Sequence, residues 1–196
     1  MQILFITQQS PYDYASKGGA GKYPDAPKKC PYKSCGQKKE LSKNGYYRRY
    51  LIAIVFQGVI RIRRYKCLKC GHTVSMLPSF CLACYTYGVE IIILLMREAI
   101  QAESIRKAAK KYDDVENVSR RQIKQYLSRL RSNKVLIQYG YIQISPEGAS
   151  VFSPSGDTEW TKRLLLGNKP TLCPELSAKF HNAVGKSFMS TDSRIA

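Results

Sequence analysis

Cys30 and Cys35, followed much later by Cys67 and Cys70, constrain this chain more than any other residues, because each pair runs directly into a glycine, Gly36 and Gly71. A pair of thiolates on a tight loop, with a residue free to take positive φ just after it, lets a backbone wrap half of a tetrahedral metal site. Two such halves predict one structural zinc ion held by Cys30, Cys35, Cys67 and Cys70. Four protein ligands leave no open position for water or substrate, so this centre would organise a surface and not perform chemistry. Its negative charge needs nearby cations, and Lys33, Lys38, Lys66 and Lys69 are placed to supply them. Cys81 and Cys84 form another Cys-x2-Cys that could pair with Cys67 and Cys70 instead. Neither is followed by glycine and both fall where a helix is expected to begin, so they are read as small buried residues. His72 is expected to face solvent, and Cys173 and His181 to have structural roles.

Charge narrows the partner. Lys and Arg number 32 against 14 Asp and Glu, a formal net charge of +18. Such an excess favours a polyanion. It is concentrated on the cysteine-bearing stretch, where Lys28 to His72 carries 13 basic residues and one acid, Glu40. Seven cysteines without a signal-peptide pattern lead to the expectation of a reducing, cytoplasmic setting in which thiols meet metal more often than they form disulfides. The most apolar run, Ile91 to Met96, is far too short to span a bilayer, so no membrane partner is expected.

The pattern along the chain predicts an α+β protein. Residues 1–29 read as an N-terminal arm, with a short apolar run at Ile3 to Ile6 that could add a strand and a loosely held segment from Lys17 to Lys29. Residues 30–80 read as a zinc ribbon: a β-hairpin of Tyr46 to Phe56 and Val59 to Tyr65, turning at Gln57-Gly58, between two cysteine knuckles. In that hairpin Ile60 and Ile62 share one face and Arg61 and Arg63 the other. Thr73 to Leu77 is a plausible third strand, stopped by Pro78.

Residues 81–134 change period and read as three helices. These are Val89 to Ala102, Ile105 to Tyr112 with Ser104 as N-cap, and Arg120 to Arg131 capped by Ser119, with Asp113 to Asn117 as a polar turn. The third helix would bury Ile123, Tyr126, Leu127 and Leu130. The order matches a helix-turn-helix. Residues 135–196 form a small C-terminal extension without an identifying motif. In it Leu136 to Ile144 is a strand or a hairpin bent at Gly140, ended by Pro146 and Gly148, and Trp160 to Leu166 and Glu175 to Val184 are short helices.

Arginine can bond guanine bidentately in the major groove and glutamine adenine, which makes Arg120, Arg121, Gln122, Lys124 and Gln125 the candidate base readers. Arg48, Arg49, Arg61, Arg63, Arg64 and Arg129 are the candidate contacts to the DNA backbone. Tyr46, Tyr47, Tyr50 and Tyr65 are interleaved with them, and would either stack on unpaired bases or form the ribbon's small core.

The run Cys30-Pro31 to Cys35-Gly36, then Asn44-Gly45-Tyr46-Tyr47-Arg48-Arg49, then Arg64-Tyr65-Lys66-Cys67-Leu68-Lys69-Cys70-Gly71-His72-Thr73 and Leu77-Pro78-Ser79-Phe80 resembles the zinc ribbon of bacterial mobile-element proteins. These include a domain of unknown function common in Firmicutes and, more distantly, InsA-like proteins and transposase N-terminal regions that follow a ribbon with a helix-turn-helix. The resemblance spans Ile3 to Asn133. It implies double-stranded DNA as partner, a link to transposition or its regulation, a transposition protein as a further partner, and a nucleoid-associated location in the cytoplasm. Cys81 and Cys84, and the length of Asp113 to Asn117, depart from it.

Catalysis is not expected. A nuclease of the transposase type needs carboxylates for two metal ions on an α/β core, and after Glu116 only Glu147, Asp157, Glu159, Glu175 and Asp192 remain. No nucleophile triad stands out, and Gly18, Gly19 and Gly21 lack the flanking strand and helix of a phosphate-binding loop. The sequence therefore reads as a non-enzymatic, zinc-stabilised DNA-binding protein. A single-strand- or RNA-binding ribbon and a protein-interaction adaptor are the alternatives.

Overall fold

A computed structural model describes residues 1–16, 23–36, 38, 41–102, 104–116, 118–145, 156–166 and 173–191. Among these the chain is mixed α and β, with one four-stranded sheet and seven helices. The strands are β1 (Gln2–Phe5), β2 (Ser42–Ala53), β3 (Phe56–Lys66) and β4 (Thr73–Pro78), in the order β1-β4-β3-β2. β1 runs parallel to β4, and the other neighbours are antiparallel. The helices are α1 (Pro11–Ser16), α2 (Val89–Gln101), α3 (Ile105–Glu116), α4 (Arg120–Ser132), α5 (Lys134–Ile144), α6 (Asp157–Leu166) and α7 (Pro174–Val184). No helix among the described residues is long and apolar enough to cross a membrane.

The β2–β3 hairpin turns at Ile54-Val55 and not at Gln57-Gly58, since Ala53 pairs with Phe56 and Leu51 with Gly58. Neither turn residue has positive φ, so the glycine that marks many two-residue loops is not required there. Gly58 serves another purpose: a Cβ at this position would stand 3.1 Å from the Phe56 ring, which lies over it. A bulge at Asn44-Gly45, with Gly45 at φ 68°, shifts the register between Lys43 and Tyr46.

Sheet edges offer unpaired amides to other chains unless they are covered, and here three segments cover them. Asn182 of α7 accepts from the Leu4 amide at 3.0 Å and donates to the Leu4 carbonyl at 2.6 Å, closing the outer edge of β1. Tyr14 of α1 donates to the Arg61 carbonyl at 3.2 Å, on the part of β3 that short β4 leaves unpaired. Thr86 and Gly88 pair with Ile52 at the end of β2. The segment read as an arm thus contributes a strand and a helix; residues 17–22 of its loose stretch lie outside the described residues.

α2 is the hub of the helical half. Its Ile92, Leu95 and Met96 are fully buried together with Ala108 and Ala109 of α3, and with Ile123, Tyr126, Leu127 and Leu130 of α4. α3 continues to Glu116, so the turn expected over Asp113 to Asn117 is mostly helix; Asn117 itself lies outside the described residues. Small Ala108 and Ala109 are the buried positions at which α3 joins this core.

Leu136 to Ile144 is neither a strand nor a hairpin but the body of α5. Leu136, Ile137, Gly140 and Tyr141 are its buried positions, which is a helical spacing. Asn133, almost fully buried, is the sole residue between α4 and α5 and donates to the Phe188 and Ser190 carbonyls at 2.9 Å each. Gly140 marks a helix contact, because a Cβ there would lie 2.1 Å from Cε2 of Phe180 on α7. Pro146 and Gly148 lie outside the described residues. Gly140→Ala is expected to lower stability by about 2 kcal/mol, because forcing apart two packed helices costs more than the alanine's helix propensity returns. Urea unfolding with an unchanged m-value would measure it.

Candidate metal centre and nucleic-acid interface

The four cysteines converge. Cys30, Cys35, Cys67 and Cys70 place their Sγ atoms all within 4.8 Å of one another, with Cys30 to Cys70 at 3.7 Å and Cys35 to Cys67 at 3.6 Å. A tetrahedral zinc ion with bonds of about 2.3 Å separates its sulfurs by about 3.8 Å, so the donor set fits a structural metal in both number and spacing. Gly36 and Gly71 carry φ of 62° and 73°, the left-handed conformation that the knuckles require. The second knuckle closes through Gly71 N–H to the Cys67 carbonyl at 2.9 Å and Cys67 N–H to the His72 carbonyl at 3.0 Å.

The thiols are not electrostatically equivalent. Backbone N–H groups of Cys70 and then Lys69 point at Cys67 and draw its thiol down to about 7, against burial that opposes them. Burial pushes the Cys30 thiol up to about 12. Ionising all four together therefore needs a cation among them, and binding it releases protons. Lys33, Lys38, Lys66 and Lys69 are all exposed around the centre.

Cys81 and Cys84 stand apart from the cluster. Cys81 is fully buried in the sheet core, as expected, whereas Cys84 is exposed at φ 65° on the loop before α2 and is not the buried residue anticipated. His72 is exposed and stacks on Tyr32, with ring centroids 4.2 Å apart. Tyr32 was not foreseen, and it also accepts from the Met1 ammonium at 2.8 Å, tying β1 to the first knuckle. Cys173 caps α7 through its sulfur, and His181 meets the Gln2 carbonyl at 3.1 Å, where burial lowers its pKa.

On α4, Ser119 forms a reciprocal capping box with Gln122: the hydroxyl accepts from the Gln122 amide at 3.2 Å and Gln122 Oε1 accepts from Ser119 N–H at 2.8 Å. Of the five candidate base readers, Arg120, Arg121, Lys124 and Gln125 are exposed, while Gln122 commits its side-chain oxygen to the cap. Among the described residues no carboxylate pairs with Arg120, Arg121 or Lys124.

The six candidate backbone contacts do not form one surface. Arg48 and Arg61 are exposed and directly opposed across β2 and β3. Arg63 is only 9 % exposed, its guanidinium 4.5 Å from the Tyr46 ring and 5.4 Å from that of Tyr65. Arg64 is half-buried. Arg49 donates to the Leu82 and Tyr85 carbonyls, and Arg129 of α4 donates to the Tyr85 hydroxyl at 2.6 Å. Arg49 alternates with Arg48, so the side of the sheet that reaches the Leu82 to Tyr85 loop is opposite the side that shows Arg48 and Arg61.

Comparison with protein-family models, characterised proteins and solved structures finds no match. The functional reading therefore rests on this chain's own residues. These are a sulfur cluster of metal-binding dimensions, a cationic helix face that no carboxylate among the described residues pairs with, and a separate face of opposed arginines and tyrosines.

Proposed function

We propose that the four thiolates hold one structural zinc ion and that the chain is a non-enzymatic, duplex DNA-binding protein in which α4 is the reading helix. On this reading the sheet and its knuckles are a zinc ribbon and α3–α4 a helix-turn-helix. The sequence resemblance makes it a regulator or accessory factor of a bacterial mobile element, acting at the nucleoid. The observation that carries the reading is the outer face of α4. Arg121, Lys124, Gln125 and Ser128 are exposed along one side of a capped helix whose other side, Ile123, Tyr126, Leu127 and Leu130, is locked into the core. A helix anchored in that way, with cations that no carboxylate among the described residues pairs with, suits insertion into the major groove. The closed four-sulfur site supports a structural rather than a catalytic role for the metal.

Selection of bound sequences from a random duplex library with zinc-loaded protein tests this. One enriched motif is expected, with affinity that falls steeply with salt. Arg121→Ala should cost about 1–3 kcal/mol and relax preference at one base position. If no motif is enriched and α4 substitutions leave duplex affinity unchanged, the reading fails.

A further inference from the structure

Arg48 and Arg61 face each other across neighbouring strands, an arrangement of like charges that costs stability. Among the described residues neither is paired with a carboxylate. Tyr46 and Tyr50 stand two residues either side of Arg48 on the same face of β2, 40 % and 46 % exposed. Tyr23 lies against Tyr46, centroids 4.8 Å apart, and Tyr14 lies edge-on to Tyr23 at 5.8 Å. Between α1 and this face is a cavity of 530 Å³, lined among the described residues by Tyr14, Ala15, Ser16, Tyr23, Arg48, Val59 and Arg61, none of them acidic.

We infer that this face is a second nucleic-acid site, specific for single strands and independent of α4. Unpaired bases would stack on Tyr50, the more exposed of the two rings, with Tyr46, already held between Tyr23 and Arg63, as the wall beside it, while the two guanidinium groups bond successive phosphates. A duplex hides its base faces, and the residues alternating with these turn to the other side of the sheet, where Arg49 reaches the Leu82 and Tyr85 carbonyls and Leu51, Ile60 and Ile62 join a core with Leu77, Phe80 and Cys81. The protein could then hold a duplex and a single strand at once, at separate sites. The inference stands apart from the duplex reading, and either can fail alone.

Fluorescence anisotropy of the full, zinc-loaded chain with labelled oligo-dT and oligo-U 20-mers tests it, with and without saturating unlabelled duplex. Single strands are expected to bind in the presence of duplex. The Arg48→Ala, Arg61→Ala double variant should weaken single-strand binding at least about tenfold and leave duplex affinity within about twofold. Tyr50→Ala should weaken it about tenfold and Tyr50→Phe should restore it. Arg48→Glu separates binding from folding: placed opposite Arg61 it should abolish binding while the Tm equals or exceeds the parent's. Preference for oligo-dT or oligo-U supports the site and identifies its natural strand. Failure to bind either, one-for-one displacement by duplex, or equal competition by poly-glutamate would overturn it.

Discussion

Replacing Cys67 by serine, or treating the protein with a strong chelator, is expected to unfold the cysteine end of the sheet while leaving the helical half folded. The local core there consists of Leu41, Tyr65, Val74 and Met76 around the sulfurs themselves, too little apolar surface to hold two long loops. Structural zinc contributes about 10–16 kcal/mol of apparent binding energy, as much as the stability of an entire domain. Circular dichroism should show strand loss with helix retained, and amide exchange should accelerate in β1, β4 and the Cys30 and Cys67 loops. Retention is expected of α2 to α4 because their core, centred on Ile92, Leu95 and Met96, contains none of the four ligands. Cys84→Ser, on an exposed thiol outside the cluster, should be silent and should retain one equivalent of metal. A Cys67→Ser protein that holds its ion and melts like the parent would remove the metal from the account of this fold.

The two halves of the site differ in how far their residues announced them. A knuckle is local: Cys-x2-Cys followed by glycine sets its own geometry within five residues, and Gly71 adopts the φ that its position implied. The caps at Ser104 and Ser119 are local as well, and both hydroxyls accept the expected amide, from Lys107 and Gln122. Long-range packing decides the features that were misread. Ile54 and Val55 carry no turn chemistry, and they form the turn because Leu51, Ile60 and Ile62 must reach the core together. Gly140 resembles a bend until Phe180, forty residues later, is seen to occupy the space of its missing side chain. The same limit applies to arginines, since alternation in a strand tells which ones share a face but not which face meets another element. Arg48 and Arg49 are adjacent in sequence, yet one is bare and the other is bound inside.

Arg49→Ala is expected to lower stability by about 3–6 kcal/mol, or about 10 °C in Tm, whereas Arg48→Ala next to it should change Tm little. Arg49 projects from β2 and donates to two carbonyls of one loop, Leu82 and Tyr85. Tyr85 is in turn bound from the other side by Arg129 of α4 and donates to the Met189 carbonyl at 2.8 Å. Three segments far apart in sequence thus meet on one tyrosine, and Arg49 is the only one of them that comes from the sheet. Truncation would leave two carbonyls without their charged donor, at about 1.5–3 kcal/mol each. Arg49→Lys should recover only part of the loss, because a single ammonium on a flexible stem cannot reproduce a planar group that serves two acceptors. Because α4 is oriented through the same loop, Arg49→Ala should also weaken duplex binding more than its stability loss explains at temperatures where the protein is fully folded. Arg48→Ala should leave the proposed duplex binding untouched, and that contrast between neighbours separates a clasp between the sheet and α4 from a direct phosphate contact.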